Sequence, residues 1–99
     1  MQVTKTVKET RDLIKNWKRE GKTIGLVPTM GFLHEGHASL IKRCREENDI
    51  VVVSDFVNPT QFGPTEDLEA YPRDFKRDSE LCESLGADVI FHPEPEEMY

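Results

Sequence analysis

Two histidines three residues apart, His34 and His37, are the side chains of this sequence best placed to do chemistry. They stand with Gly31 and Gly36 in the stretch PTMGFLHEGH, between a run of strand formers and a helical pattern. Glycines let a backbone come close to a ligand, and the start of a helix presents unpaired amides and the positive end of its dipole to an anion. From a strand-to-helix turn of this kind both imidazoles could donate to phosphate oxygens. The loop is not a P-loop. Gly31 and Gly36 have the separation of GxxxxGK, but His37 stands where the lysine belongs and Ala38 where the magnesium-binding hydroxyl belongs. The dinucleotide fingerprint GxGxxG is absent as well. Two other roles stay open for the histidines: capping or otherwise structural groups, and metal ligation. A metal site needs a third ligand, for which His92 and Glu35 are candidates without a recognised spacing, so no metal site is assigned.

The elements that must hold this turn follow from periodicity. Val7, Leu13, Ile14 and Trp17 recur at helical spacing from Thr4 to Glu20, with Thr4 as a candidate N-cap and Gly21 as the stop. Thr23 to Val27 is a short strand that Pro28 is expected to end by removing a backbone donor. A second helix is expected over His37 to Glu47, with Leu40, Ile41 and Cys44 able to share a face. Asp49 to Val57 then reads as a nearly continuous apolar strand covered on both sides. Pro59 to Pro72, with the acidic cluster Glu66, Asp67 and Glu69, reads as a loop with at most one helical turn. Asp74 to Leu85 is a third helix with Phe75, Leu81 and Leu85 facing in, stopped at Gly86 and followed by the strand Asp88 to Phe91. Strands alternating with helices imply an α/β fold, a three-layer α/β sandwich with a Rossmann-like parallel sheet. In such sheets ligands bind beyond the carboxyl ends of the strands, which is where PTMGFLHEGH and VNPTQF both begin.

Composition narrows the partners. Nineteen acidic against 13 basic side chains give a net charge of −6, which disfavours a nucleic-acid backbone but not a mononucleotide. Lys42, Arg43 and Arg45 gather after the histidines, either as a solvated helix face or as a source of positive charge for phosphate. Two distant cysteines, Cys44 and Cys82, form neither a zinc knuckle nor a redox pair, as expected of a reduced cytoplasmic protein. The longest aliphatic run, Ile50 to Val53, is too short to cross a membrane.

The two segments PTMGFLHEGH and VNPTQFGPTEDLEAYPRD, in order and at normal spacing, resemble those of the pantothenate synthetases, and the likeness runs through all 99 residues. The HxGH element is shared with the wider nucleotidyltransferase group. The resemblance implies an N-terminal, Rossmann-like nucleotide-binding domain over residues 1–99, incomplete because the later motifs and C-terminal domain of the family have no counterpart. It also implies a two-step ligation in which pantoate and ATP give pantoyl adenylate, from which β-alanine displaces AMP. Met30, Gly31, Phe32, Leu33, His34, Glu35, Gly36 and His37 would line the ATP site, with His34 and His37 as its catalytic groups. Gln61 and Asn58 would hold pantoate and β-alanine, Mg²⁺ would accompany ATP, and the enzyme would be a homodimer. The strand position of Asp55 departs from the family, which usually has an aliphatic residue there. A buried carboxylate must find partners or take up a proton. Two other readings of the chain are a non-catalytic nucleotide-binding or self-associating module, and another HxGH transferase.

Overall fold

The computed structural model describes residues 1–56 and 74–98. Their elements run β1 (Gln2–Thr4), α1 (Val7–Arg19), β2 (Ile24–Thr29), α2 (Glu35–Glu47), β3 (Ile50–Asp55), α3 (Phe75–Ser84), β4 (Val89–Phe91) and α4 (Pro95–Met98). Among the described residues the four strands form one sheet in the order β1-β4-β3-β2, every pairing parallel. The expected α/β sandwich is present. Its cause is visible in β3, where successive side chains point to opposite faces. Val51 and Val53 pack with Leu33, Ile41, Cys82 and Ile90, while Ile50 and Val52 pack with Val89 and with Leu13, Ile14 and Trp17 of α1. A strand covered by helices on both sides has no polar face to offer, and Ile50 to Val53 are all buried.

Four expectations need correction. The chain begins with a strand, not with a helix from Thr4. Gln2 to Thr4 pair with Val89 to Phe91, and Thr4 is buried, its hydroxyl 2.7 Å from that of Thr10. Three residues carry too little periodicity to announce a strand, and this one exists because β4 supplies its partner. The cap of α1 is accordingly Thr6, in a reciprocal capping box with Glu9. Pro28 does not end β2, which continues to Thr29; β2 is an edge of the described sheet, where a missing backbone donor can face outward. The second helix starts at Glu35, two residues before His37, and a fourth short helix follows β4.

The capping box yields a direct prediction. Thr6→Ala removes the acceptor of the Glu9 amide, 3.1 Å away, and is expected to destabilise the fold by about 1 kcal/mol. A urea midpoint indistinguishable from that of the parent would contradict it.

Arg45 has a structural task. Its guanidinium donates to the Asp88 carboxylate at 2.8 Å, to Gly86 O at 3.1 Å, to Asn48 O at 2.8 Å and to Asp49 O. Asp88 in turn accepts the Val51 amide at 2.9 Å. These groups sit where β3 and β4 begin, the end of a parallel sheet opposite to the histidine turn. Arg43 pairs with Glu47 on the exposed face of α2, and Lys42 is exposed beside it. The basic cluster is therefore part latch and part solvated face.

Candidate functional site

The turn between β2 and α2 is built against the ends of two strands and one helix. Thr29, the last residue of β2, donates its hydroxyl to Ser54 O at 2.9 Å and accepts the Gly31 amide at 3.1 Å. The chain then enters left-handed backbone space at Gly31 (φ 82°) and Phe32 (φ 49°). Such a conformation is costly for a residue with a side chain and persists only where the surroundings impose it. Here Asp78 imposes it. One carboxylate oxygen accepts the Phe32 amide and the other the Leu33 amide, both at 2.8 Å. The neighbouring Arg77 donates to Leu33 O at 2.7 Å and lays its guanidinium 4.9 Å from the centre of the Phe32 ring. Leu33 itself is fully buried and ties the turn into the core.

The two histidines emerge from this support as a reciprocal cap. His34 is the N-cap of α2: its Nδ1 accepts the Gly36 amide at 3.0 Å, and the Nδ1 of His37 accepts the His34 amide at 3.2 Å. The rings lie 4.1 Å apart. Gly36 is needed for this arrangement, since a Cβ there would stand 2.8 Å from Cε1 of His34. An imidazole that accepts through Nδ1 carries its proton on Nε2. Each ring therefore caps with one nitrogen and keeps an N–H donor on the other, for which neither has a partner among the described residues. The pKa of His37 is lowered, first by burial and then by its neighbour His34, against an opposing pull from Asp78. It is a neutral donor near pH 7. Capping and anion contact, alternatives in the sequence, are compatible in the fold because they use different nitrogens. Among the described residues no group of three His, Cys, Asp or Glu side chains gathers as a metal site.

Asp55 lies directly beneath the turn, paired with Thr29 across β2 and β3 and only 5% exposed. Its Oδ2 is buried without a hydrogen-bond partner among the described residues. Burial first, and then the charge and hydrogen-bonding proximity of Asp78, push its carboxyl up to about 7. It therefore holds its proton to a much higher pH than an exposed aspartate does, the second of the two outcomes a buried carboxylate allows. The imidazole Nδ1 of His92 lies 3.0 Å from Asp55 O, and its ring stacks on Phe75 at 4.2 Å. His92 is thus a packing group near the site and not a third ligand.

Of the residues singled out from sequence, Met30 to His37 form one continuous turn and helix start. Gln61 and Asn58 lie outside the described residues, as do the loop from Pro59 to Pro72 and the end of the predicted strand at Val57. Sequence reasoning missed Asp78 and Arg77. A signal for Asp78 was present: with Phe75, Cys82 and Leu85 it falls on the inward stripe of α3, and an acid on an apolar stripe needs donors.

The chain matches the model of the family described as pantoate-beta-alanine ligase over residues 2–99. Pantothenate synthetase of Clostridium acetobutylicum is 60% identical over all 99 residues, which are 35% of that protein. The Bacillus licheniformis enzyme is 65% identical over 95% of this chain and 33% of its own length. In structure, pantothenate synthetase of Thermus thermophilus superposes with a TM-score of 0.91 at 48% identity, covering the whole chain and 34% of that protein. The Francisella tularensis ligase, solved as a complex with β,γ-ATP and β-alanine, superposes at 0.90 with 43% identity, over the whole chain and 38% of its own. The chain spans about a third of the length of the relatives it matches.

Proposed function

Since this chain belongs to the pantoate-beta-alanine ligase family, we propose that it is the ATP-binding part of a ligase that condenses pantoate with β-alanine. The observation that carries the reading is the reciprocal histidine cap, which uses both Nδ1 atoms and leaves two Nε2–H donors without a partner among the described residues at the start of α2. A triphosphate is the ligand such a turn suits, because its oxygens accept and its charge is favoured by the helix N-terminus. The complex of the Francisella relative with an ATP compound supports the same ligand here.

The reaction is chemically intelligible from this geometry. A pantoate carboxylate is already ionised near pH 7 and needs no general base to attack the α-phosphorus of ATP. A bond forms between carboxylate oxygen and phosphorus, the bond to the pyrophosphate oxygen breaks, and negative charge accumulates on the leaving group. Imidazole N–H groups held by a helix cap stabilise that charge without reorganising. In the second step the β-alanine amine attacks the acyl carbon and AMP leaves. Asn58 and Gln61 are assigned to the pantoate and β-alanine shell. A carboxamide offers both the donors and the acceptor that a hydroxyl and a carboxylate require. Mg²⁺ enters with the triphosphate, which supplies its oxygen ligands; the described residues gather no cage for it. The longer ligase is taken to be a cytoplasmic homodimer, the former in keeping with two free thiols.

Calorimetric titration of the chain with ATP and Mg²⁺ tests the reading, comparing the parent with His34→Ala and His37→Ala. Binding that both substitutions weaken is the expected result. A folded chain that binds no ATP, or one whose binding neither substitution changes, would refute it.

A further inference from the structure

The family's chemistry gives no task to the buried acids behind the turn. Asp78 spends both carboxylate oxygens on the Phe32 and Leu33 amides. Asp55 presses against the same turn, so closely that a Cβ on Gly31 would stand 2.5 Å from Asp55 Oδ1 and 3.3 Å from Asp78 Oδ2. As a carboxylate, Asp55 would leave Oδ2 buried without a donor among the described residues and would add a second negative charge beside the first. As a carboxylic acid it becomes a donor itself, with Asp78 as the acceptor within reach.

We propose that Asp78 and Asp55 are positioning residues for the histidine turn and that they act as a pair sharing one proton. Asp78 is the carboxylate that fixes the left-handed turn, and Asp55 is the acid that donates to it. Loss of the proton leaves two like charges in a closed space; one carboxylate must move or draw in water, and the amides of Phe32 and Leu33 lose their anchor.

The other titratable groups around the pair do not mimic this. From α3, the Cys82 thiol is pushed up to about 12 by burial and by both acids, so it stays neutral. From α2, burial first and then the neighbouring His34 shift His37 downward, toward its neutral form. Arg77 is engaged with Leu33 O, and the His92 ring meets Asp55 at its backbone carbonyl and stacks on Phe75. Asp55, pushed up to about 7 by burial and by Asp78, is the acid of this pair expected to titrate in the window from pH 6.5 to 8.5.

The sign is fixed by linkage. The folded chain keeps a proton that the unfolded chain releases near the ordinary value of 3.8, so stability declines as pH rises from about 4 to about 7 and levels off above. The turn loosens as the proton leaves the folded state, so affinity for a nucleotide falls as pH rises through about 7. That second consequence rests on the function proposed above; the pairing does not.

The test combines two readouts on the 99-residue chain. The first is the ¹³C shift of the Asp55 carboxyl as a function of pH, which needs no variant and no ligand. A midpoint near 7 is expected, and one below 5 would overturn the pairing. The second is ATP affinity at saturating Mg²⁺ between pH 6.5 and 8.5, in the parent and in Asp55→Asn, whose amide donates to Asp78 without titrating. The parent is expected to lose affinity by up to about tenfold per pH unit, the limit for one proton, while Asp55→Asn stays level. Equal slopes in the two proteins, or a level parent, would overturn the positioning role. If ATP binds at no pH, the function proposed above fails, and the carboxyl titration still decides the pairing.

Discussion

Replacing His37 by alanine in a full-length ligase carrying this segment is expected to lower turnover 10²- to 10³-fold, about 3 to 4 kcal/mol of transition-state stabilisation. The size follows from two losses at one residue. The Nε2–H, unpartnered among the described residues, disappears, and so does the Nδ1 that accepts the His34 amide at 3.2 Å and fixes the orientation of the cap. His34→Ala removes the reciprocal bond to Gly36 and should act in the same direction. Because the histidines form a unit, the double variant is expected to lose much less than the product of the single effects. Single-turnover measurement of adenylate formation checks this, separating the phosphoryl step from the later attack by β-alanine. Turnover by His37→Ala within threefold of the parent would remove that side chain from the mechanism.

Gly31→Ala is expected to destabilise the fold by about 3 kcal/mol, from two sources of comparable size. A side chain at φ 82° carries the left-handed penalty of about 1 to 2 kcal/mol. Its Cβ also falls 2.5 Å from Asp55 Oδ1, an overpacking that costs about 1 to 3 kcal/mol because Asp55 is buried and has little room to retreat. Asp55→Ala in the Gly31→Ala background should recover the steric part and leave the backbone part. A double-mutant cycle in urea therefore reads a coupling of about 1 to 3 kcal/mol. Additive effects would show that the two residues do not press on each other.

Much of the fold was legible because helix and strand periodicities are local properties. The apolar run from Ile50 to Val53 announced a strand covered on both faces, and Phe75, Leu81 and Leu85 announced the stripe of α3. The errors arose where a partner distant in sequence decides the outcome. Gln2 to Thr4 form a strand only because Val89 to Phe91 lie alongside, and Pro28 is tolerated inside β2 only because that strand is an edge of the described sheet. The start of α2 at Glu35 was missed because histidine is an unusual cap, and only its hydrogen bond to Gly36 identifies it as one.

By itself the sequence determined the alternation of strands and helices, the place of the HxGH turn at a strand's carboxyl end, and the family likeness now matched over residues 2–99. Those depend on spacing along the chain. Only the tertiary structure decided how the turn is held: the bond that fixes the Leu33 amide comes from Asp78, 45 residues away, and the acid beside it is buried with an oxygen that has no partner among the described residues. Residue spacing can mark an acid as facing inward, but the distance to its donors, and hence the protonation state it must adopt, exists only once the chain has closed around it.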